Sequence, residues 1–471
     1  MIYQQILGNY LEDDSNTLFY DDGKNKFTWS DASNYISYLI SEYLIEIKNQ
    51  RKDLFIASKK SFETYCLIMG SYLLGITFNP IDYRDEMKIS KLDSGTVLFS
   101  KINYEFLPFI KLDFYEFRSN LFTKSGFFKN FKNIYHFDNE NAVYKMSSSG
   151  STGEPKVIPI NSINLENYIN QINKIANFKK GDNFAQIANL TFDLSMHDLF
   201  LSFFHKGTLI PIGTEMGLFL TRFIKKMNIN HIMTVPSFLD LGIKNKNSFE
   251  NNVNNIFVCG EALRTDVAKR ISTIFPKANC FNLYGPTECT IAVLYFKFSG
   301  EKINFNSDQI PIGKPFIFNE VFLSENNELL ISGKQVFEGY FSKNRSPFVL
   351  YKNMKFYRTG DICKLEKNNY YFVGRIGSQI KYRGYRIDIE GLEIYLSKSL
   401  KTEIILIAHN EISKCNYKEI TIFHSHKDLK ILNIKELLPP HLNSVFIKYI
   451  YQIPRTKSYK VNRKKIKVTY L

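Results

Sequence analysis

The chain has 471 residues, too many for one ordinary hydrophobic core, so a large layered domain and at least one smaller domain are expected. With 44% hydrophobic and 23% charged residues, the composition is that of a packed globular protein and excludes a disordered chain. The formal net charge of +15 invites a nucleic-acid function, but Lys is spread along the whole length beside Asn and Ile, so no nucleic-acid partner is expected; a basic face could still serve an acidic protein.

The N-terminus, MIYQQILGNYLEDD, lacks the positive flank and apolar core of a signal peptide, which points to a cytoplasmic protein. From Phe27 to about Ile376, helical periodicity alternates with short β-rich runs: Asp53 to Ala57, Thr96 to Ser100, Ile232 to Val235 and Asn255 to Val258. That alternation is the pattern of parallel α/β layers. The longest apolar stretch, Cys66 to Phe78, contains Gly and Ser and is too short to span a bilayer. It predicts a buried helix leading to a turn at Asn79-Pro80, and no membrane partner. Between Glu328 and Phe372 the texture changes to short strands with turns (ELLISG, KFYRTGD, YYFVGR), a β-rich subdomain. Beyond Gly374 comes a compact tail with a helix at Glu390 to Ser399 and a strand at Glu403 to Ala408. The expected class is α/β: a large N-terminal domain, 1–376, of layered α/β subdomains plus a β-rich subdomain, then a small α+β C-terminal domain, 377–471. Cys66, Cys259, Cys280, Cys289, Cys363 and Cys415 form no CxxC pair and no zinc spacing with His, so a reducing compartment fits best. His424 and His426 form an HxH without a third nearby ligand, which suits a strand surface better than a metal.

Five segments carry chemistry. In MSSSGSTGEPKVIP, Met146 to Pro159, hydroxyl residues and two glycines let the backbone approach an anion, and Lys156 adds a cation. The spacing is not that of GxxxxGK[ST]; the segment is either an ordered phosphate loop or a flexible Ser/Gly linker. In FNLYGPTECT, Phe281 to Thr290, a Gly-Pro turn follows an aromatic and precedes a carboxylate, so a planar base could stack on Tyr284 while Glu288 holds Mg2+. Taken alone it would be an ordinary strand and turn. In FYRTGDI, Phe356 to Ile362, Asp361 is suited to accept hydrogen bonds from ribose hydroxyls, the other reading being a hairpin turn with a solvated Asp. GRIGSQIKYRGYRIDIEGLE, Gly374 to Glu393, is a flexible cationic connector or a solvated charged turn. In IPRTKSYKVNRKKI, Ile453 to Ile466, Lys460 precedes a strand-like end within a cationic cluster that could swing toward a polyphosphate, or that is only a basic tail.

The order and spacing of these segments across more than 300 residues resemble the superfamily of acyl-CoA synthetases, nonribosomal peptide adenylation domains and luciferases. Weaker matches occur at FTWSD, GSYLLGITFNPID, GEAL and ELLISGKQVFEGYF, so the resemblance covers nearly the whole chain. It implies a nucleotide site for ATP built from Ser148, Ser149, Gly150, Ser151, Thr152, Gly153 and Lys156, from Gly260, Glu261 and Ala262, from Asn282, Tyr284, Gly285 and Thr287, and from Asp361 and Arg375. By the same resemblance Glu288 would ligate Mg2+, Lys460 would be the catalytic cation, and the small C-terminal domain would be mobile about residue 377. TFDLSMHDLF, Thr191 to Phe200, resembles the FDxS element of amino-acid-activating members, which makes Asp193 the partner of the substrate ammonium; its alternative is to cap the helix that begins there. The side-chain pocket implied is Leu194, His197, Thr234, Phe257, Cys259, Leu283, Ile291 and Ala292, mainly apolar and suited to a small or medium uncharged amino acid. The run around Cys259 is similar to D-alanine carrier-protein ligases, which makes D-alanine a candidate.

The resemblance implies activation of an amino acid as aminoacyl-AMP with release of pyrophosphate, then transfer to the phosphopantetheine thiol of a separate carrier protein. A freestanding enzyme is expected, because no carrier segment follows Lys460, and a monomer is the default. Gly377 stands where the family has a hinge Asp, Tyr459 replaces a Gly and Asn462 an Asp, changes that bear on the approach of the C-terminal loop. The rival readings are an acyl- or aryl-CoA synthetase with a structural Asp193, and a noncatalytic relative that binds nucleotide.

Overall fold

The computed structural model describes residues 2–12, 14–50, 54–85, 89, 92, 97–100, 109–111, 142–148, 156–244, 249–299, 309–340, 346–351, 353–376, 379–382, 385–410, 418–442, 444–455 and 461–471. Chain contacts divide it into two compact units: 1–146 with 157–359 and 363–372, and 147–156 with 360–362 and 373–471.

The first unit contains two α/β layers. In the six-stranded sheet, the order is Phe109–Lys111, Val97–Ser100, Leu54–Ile56, Phe78–Pro80, Ala142–Ser148, Lys156–Asn161, and the first five strands run parallel. Helix Phe62–Leu74 is buried along its entire length, which is what an element apolar on every side requires. Ser61 caps its start, and Gly75, in the left-handed region at φ 64°, ends it. Reversal therefore occurs at Gly75, and Asn79-Pro80 lies in a strand rather than in the expected turn. Pro80 is tolerated because it closes that strand.

The nine-stranded sheet runs in the order Lys314–Pro315, Leu294–Phe298, Asn279–Tyr284, Asn255–Val258, His231–Thr234, Asn183–Gln186, Thr208–Pro211, Leu18–Asp21, Lys26–Thr28. Its six inner strands, Asn279–Tyr284 to Leu18–Asp21, are parallel. The four runs read as strands from the sequence are strands, each within two residues of the expected bounds. The β-rich texture beyond Glu328 is a five-stranded sheet of Asn319–Leu323, Glu328–Gly333, Phe348–Tyr351, Met354–Glu366 and Asn369–Arg375.

The second unit is α+β. Helix Ile389–Leu400 follows the hairpin Gln379–Tyr382 and Tyr385–Asp388. A three-stranded sheet, Ile404–Asn410, Lys418–His424 and Phe446–Tyr449, packs Leu406, Ile420 and Ile422 against Leu396 and Ile434. The chain closes with helix Arg463–Tyr470, not a strand. Asn462 caps it by accepting a hydrogen bond from Lys465 N at 3.0 Å, a task in which Asn and Asp are equivalent. His424 is buried and its Nδ1 lies 3.1 Å from the carbonyl of His426, and no metal-binding group of three His, Cys, Asp or Glu occurs among the described residues. Cys66, Cys259, Cys280, Cys289 and Cys363 are buried, Cys415 lying outside the described residues. Among the described residues, no helix is long and apolar enough to cross a membrane.

Candidate active site

Strand Asn183–Gln186 has its sequence successor, Thr208–Pro211, on one side and the later His231–Thr234 on the other. Chain order reverses there, and in an open parallel sheet such a reversal opens a crevice outside the carboxyl ends of the strands. Thr234, Phe257, Asn282, Leu283 and Tyr284 lie toward the carboxyl ends of strands in this sheet. Thr234, Val258 and Asn282 stand side by side in register, and Cys259 N donates to Thr234 O at 3.1 Å. Leu194, Phe257, Cys259, Leu283, Tyr284, Ile291 and Ala292 belong to one contiguous buried cluster. Gly260, at φ 92°, supplies the left-handed turn that follows the Asn255–Val258 strand. The carboxylate of Glu261 turns back to accept from Ser237 N and Ser237 Oγ, both at 3.0 Å, so it ties down helix Pro236–Ile243; Ala262 follows it, half-buried.

Asp193 opens helix Leu194–His205 and is only 3% exposed. Its backbone is helical, and among the described residues its side chain makes no capping hydrogen bond, so capping does not account for a carboxylate at this depth. His197 lies one turn further on the same helix face. It is fully buried, its Nδ1 2.6 Å from the hydroxyl of Tyr168 and its ring edge-on to Phe257 at 4.7 Å. Burial, helped by nearby His231, pulls its pKa down to about 3, so the ring is neutral at pH 7.

The turn after Tyr284 is tightly built. A Cβ on Gly285 would stand 2.5 Å from Ala292 Cα and 2.8 Å from Ile291 O, so only glycine lets these two backbone segments meet. Thr287 and Glu288 lie in a short 3-10 turn, after which Thr290 and Ile291 both take positive φ, 57° and 66°. That conformation is costly for a β-branched residue and needs external support. Gln335 provides it: Thr290 Oγ1 donates to its carbonyl at 2.7 Å, its own Nε2 donates to Ala292 O at 2.7 Å, and Asn319 Nδ2 fixes its Oε1 at 2.8 Å. Tyr340 donates to Glu288 Oε1 at 2.6 Å and orients that buried carboxylate, while Asn282 Nδ2 donates to Pro311 O at 2.7 Å.

In the second unit, Asp361 is 1% exposed inside strand Met354–Glu366, which removes the solvated-turn alternative. Arg375 grips it with two hydrogen bonds, Nε to Oδ1 and Nη2 to Oδ2, the latter at 3.2 Å. Ser148 ends one strand and Lys156 begins the next. Between them, Ser149, Gly150, Ser151, Thr152 and Gly153 lie outside the described residues, as do Gly377, Tyr459 and Lys460. Tyr168, Gln335 and Tyr340 went unnoticed in the sequence. Gln335 and Tyr340 stand inside ELLISGKQVFEGYF, where their spacing was a usable signal; Tyr168 sits on helix Ser162–Ile175 with no motif around it.

Layered α/β sheets with this crevice are the architecture of adenylate-forming enzymes. The chain superposes on the Vibrio cholerae adenylation domain AlmE, solved in complex with glycyl-adenosine-5'-phosphate, with a TM-score of 0.80 at 22% identity, covering 100% of this chain and 98% of that one. In sequence it is 31% identical over 358 residues to a D-alanine–D-alanyl carrier protein ligase of Bacillus licheniformis, covering 70% of this chain and 71% of the relative. It is 32% identical over 362 residues to the ligase of the same name from Listeria monocytogenes, covering 69% and 70%. The AMP-binding enzyme family matches residues 90–341, just over half of the chain. The chain belongs to that family and is a ligase.

Proposed function

We propose that the protein uses ATP to convert a small or medium uncharged amino acid into its aminoacyl-AMP, releasing pyrophosphate, and then passes the acyl group to the phosphopantetheine thiol of a separate carrier protein. The observation that carries this is Asp193, a carboxylate only 3% exposed at the start of helix Leu194–His205 that makes no capping hydrogen bond there, a depth at which the α-ammonium of a substrate would supply a fitting counter-charge. The apolar walls and the neutral His197 argue against a charged side chain, and the bulk of Phe257, Leu283 and Ile291 favours a small one. D-alanine is the leading candidate, given the relatives' substrate.

In this reading the substrate carboxylate attacks the α-phosphorus of ATP, and Lys460 stabilises the negative charge that grows on the transferring group. Asp361, held by Arg375, presents a fixed carboxylate to the ribose diol, and Tyr284 offers its ring to adenine. Glu288 fits Mg2+, being a hard oxygen donor already oriented by Tyr340; one protein carboxylate joined by substrate phosphates and water is the usual company of that ion. When bound, Mg2+ would neutralise phosphate charge. The thiol then attacks the acyl carbonyl and AMP departs, with the small domain turning about Gly377 between the two steps.

A pyrophosphate-exchange panel over all amino acids, both enantiomers included, tests the proposal. Exchange is expected with a few small uncharged amino acids; exchange with fatty or aromatic acids alone would favour a CoA synthetase instead.

A further inference from the structure

Lys60 stands apart from every motif above, in the turn between strand Leu54–Ile56 and helix Phe62–Leu74. Its ammonium is enclosed and donates to three main-chain carbonyls: Gln186 O at 3.0 Å, Ile212 O at 2.9 Å, and Ile187 O. An ammonium has three protons, so this set uses its donors fully. The three acceptors are the carboxyl ends of two neighbouring strands, Asn183–Gln186 and Thr208–Pro211, themselves linked there by Ile212 N to Gln186 O at 3.0 Å. Segment 187–193, which ends in Asp193, leaves the sheet from this point. The adjoining helix grips the same place by its side chains: Tyr65 donates to Gln186 Oε1 at 3.0 Å, and Gln186 Nε2 donates to Ala188 O at 2.7 Å. Asp198, five residues past Asp193 on helix Leu194–His205, is fully buried, and neither of its carboxylate oxygens meets a hydrogen-bond partner among the described residues; burial pushes its pKa well above the usual carboxylate range, with Lys60 acting in the opposite sense.

We propose that Lys60 is a positioning residue for ammonium recognition: by tying the carbonyls of Gln186, Ile187 and Ile212 to the neighbouring layer, it fixes the segment that presents Asp193 to the substrate amine. Surface cations do not work this way. Without the ammonium these carbonyls would lose a hydrogen bond at depth, Ile187 O and Ile212 O above all because Gln186 O also accepts from Ile212 N, a penalty that keeps the segment in one place. Burial pulls Lys60 down to about 7, with Asp198 and Glu215 acting in the opposite sense, so the ammonium is fully charged only below neutral pH and is about half deprotonated near pH 7.

The inference presupposes the role assigned to Asp193, so the test measures both. Lys60→Met, Lys60→Arg and Asp193→Asn are compared with the unaltered enzyme in pyrophosphate exchange, with Michaelis constants taken separately for the preferred amino acid and for ATP. The inhibition constant of the corresponding desamino acid is measured alongside. Lys60→Met is expected to raise the amino-acid KM about tenfold, the loss of a buried hydrogen-bonded cation, while leaving the ATP KM and the desamino-acid constant within about twofold. Lys60→Arg, which keeps the charge and donors, is expected to recover part of the loss, and it carries the test if the Met variant does not fold. An unchanged amino-acid KM, or an equal rise in all three constants, overturns the positioning role even where Asp193→Asn behaves as expected. If Asp193→Asn leaves the amino-acid KM unchanged, the ammonium reading itself fails, and the Lys60 inference with it.

Discussion

Acid should weaken the first unit through His197, and the size of the effect can be worked from its burial. The ring's pKa falls from the ordinary 6.5 to about 3 because desolvation penalises the imidazolium, with His231 adding to it. Between these values the unfolded chain binds a proton that the folded chain refuses, so stability falls as the pH drops from about 6.5 toward 3. At pH 5 the ring is about 1.5 pH units below its unfolded value, and at about 1.4 kcal/mol per unit the cost is about 2 kcal/mol. Against a typical stability of roughly 5–15 kcal/mol, that is measurable.

The protein carries its own reporter. Trp29 is the single tryptophan; it is fully buried, edge-on to Phe19 at 5.1 Å, and its Nε1 donates at 3.2 Å to Gly207 O, just past helix Leu194–His205. Urea unfolding followed by its fluorescence at pH 8 and pH 5, in the unaltered protein and in His197→Asn, isolates the effect. Asn retains a polar atom toward Tyr168 but does not titrate. The unaltered protein is expected to lose about 2 kcal/mol more than the variant on acidification. His205, which burial lowers to about 4, and His231, also lowered by burial, remain in both proteins and cancel from the difference. Equal losses in the two proteins would refute the claim that this imidazole is folded neutral.

Replacing Lys460 by Ala is expected to abolish adenylate formation while ATP still binds, as read by exchange kinetics beside equilibrium nucleotide binding; undiminished turnover would remove that residue from the chemistry. Gly285→Ala forces a Cβ to 2.5 Å from Ala292 Cα, and displacement of the Ile291–Ala292 backbone is expected to lower kcat/KM for the amino acid by roughly tenfold or more, since angstrom-scale misplacement is costly. Asp361→Asn leaves Arg375 without its charge partner, and a rise in ATP KM with little change in amino-acid KM is expected from the same assay.

The sequence made the repeating parts of this molecule legible and left its single supports obscure. Alternating periodicity placed the strands ending near Thr234 and Val258 because a buried parallel strand needs a continuous apolar run, a signal written in several adjacent residues. Tyr284, Glu288 and Asp361 stood out as candidates for a related reason, each sitting beside glycines or a proline that the local backbone demands, whereas Asp193 stood out through the resemblance of TFDLSMHDLF to the FDxS element. Asn79-Pro80 misled, because the dipeptide reads as a turn while Gly75 had already reversed the chain.

Contacts that join distant segments through one polar side chain could not be read. Lys60 reaches carbonyls more than a hundred residues away, Gln335 braces a turn 43 to 45 residues earlier, and Tyr168 meets His197 across 29. No periodicity announces such a residue, since its neighbours in sequence do a different job. Yet these are the groups on which local geometry depends: two consecutive positive-φ residues at Thr290 and Ile291 persist only where something outside the turn over-determines them, and Gln335 makes three hydrogen bonds there. The motif residues point to the proposed chemistry, and the supports decide where the motif residues stand; a turn carrying Tyr284 and Glu288 without Gln335 would relax toward ordinary φ and displace Ile291 from the buried core.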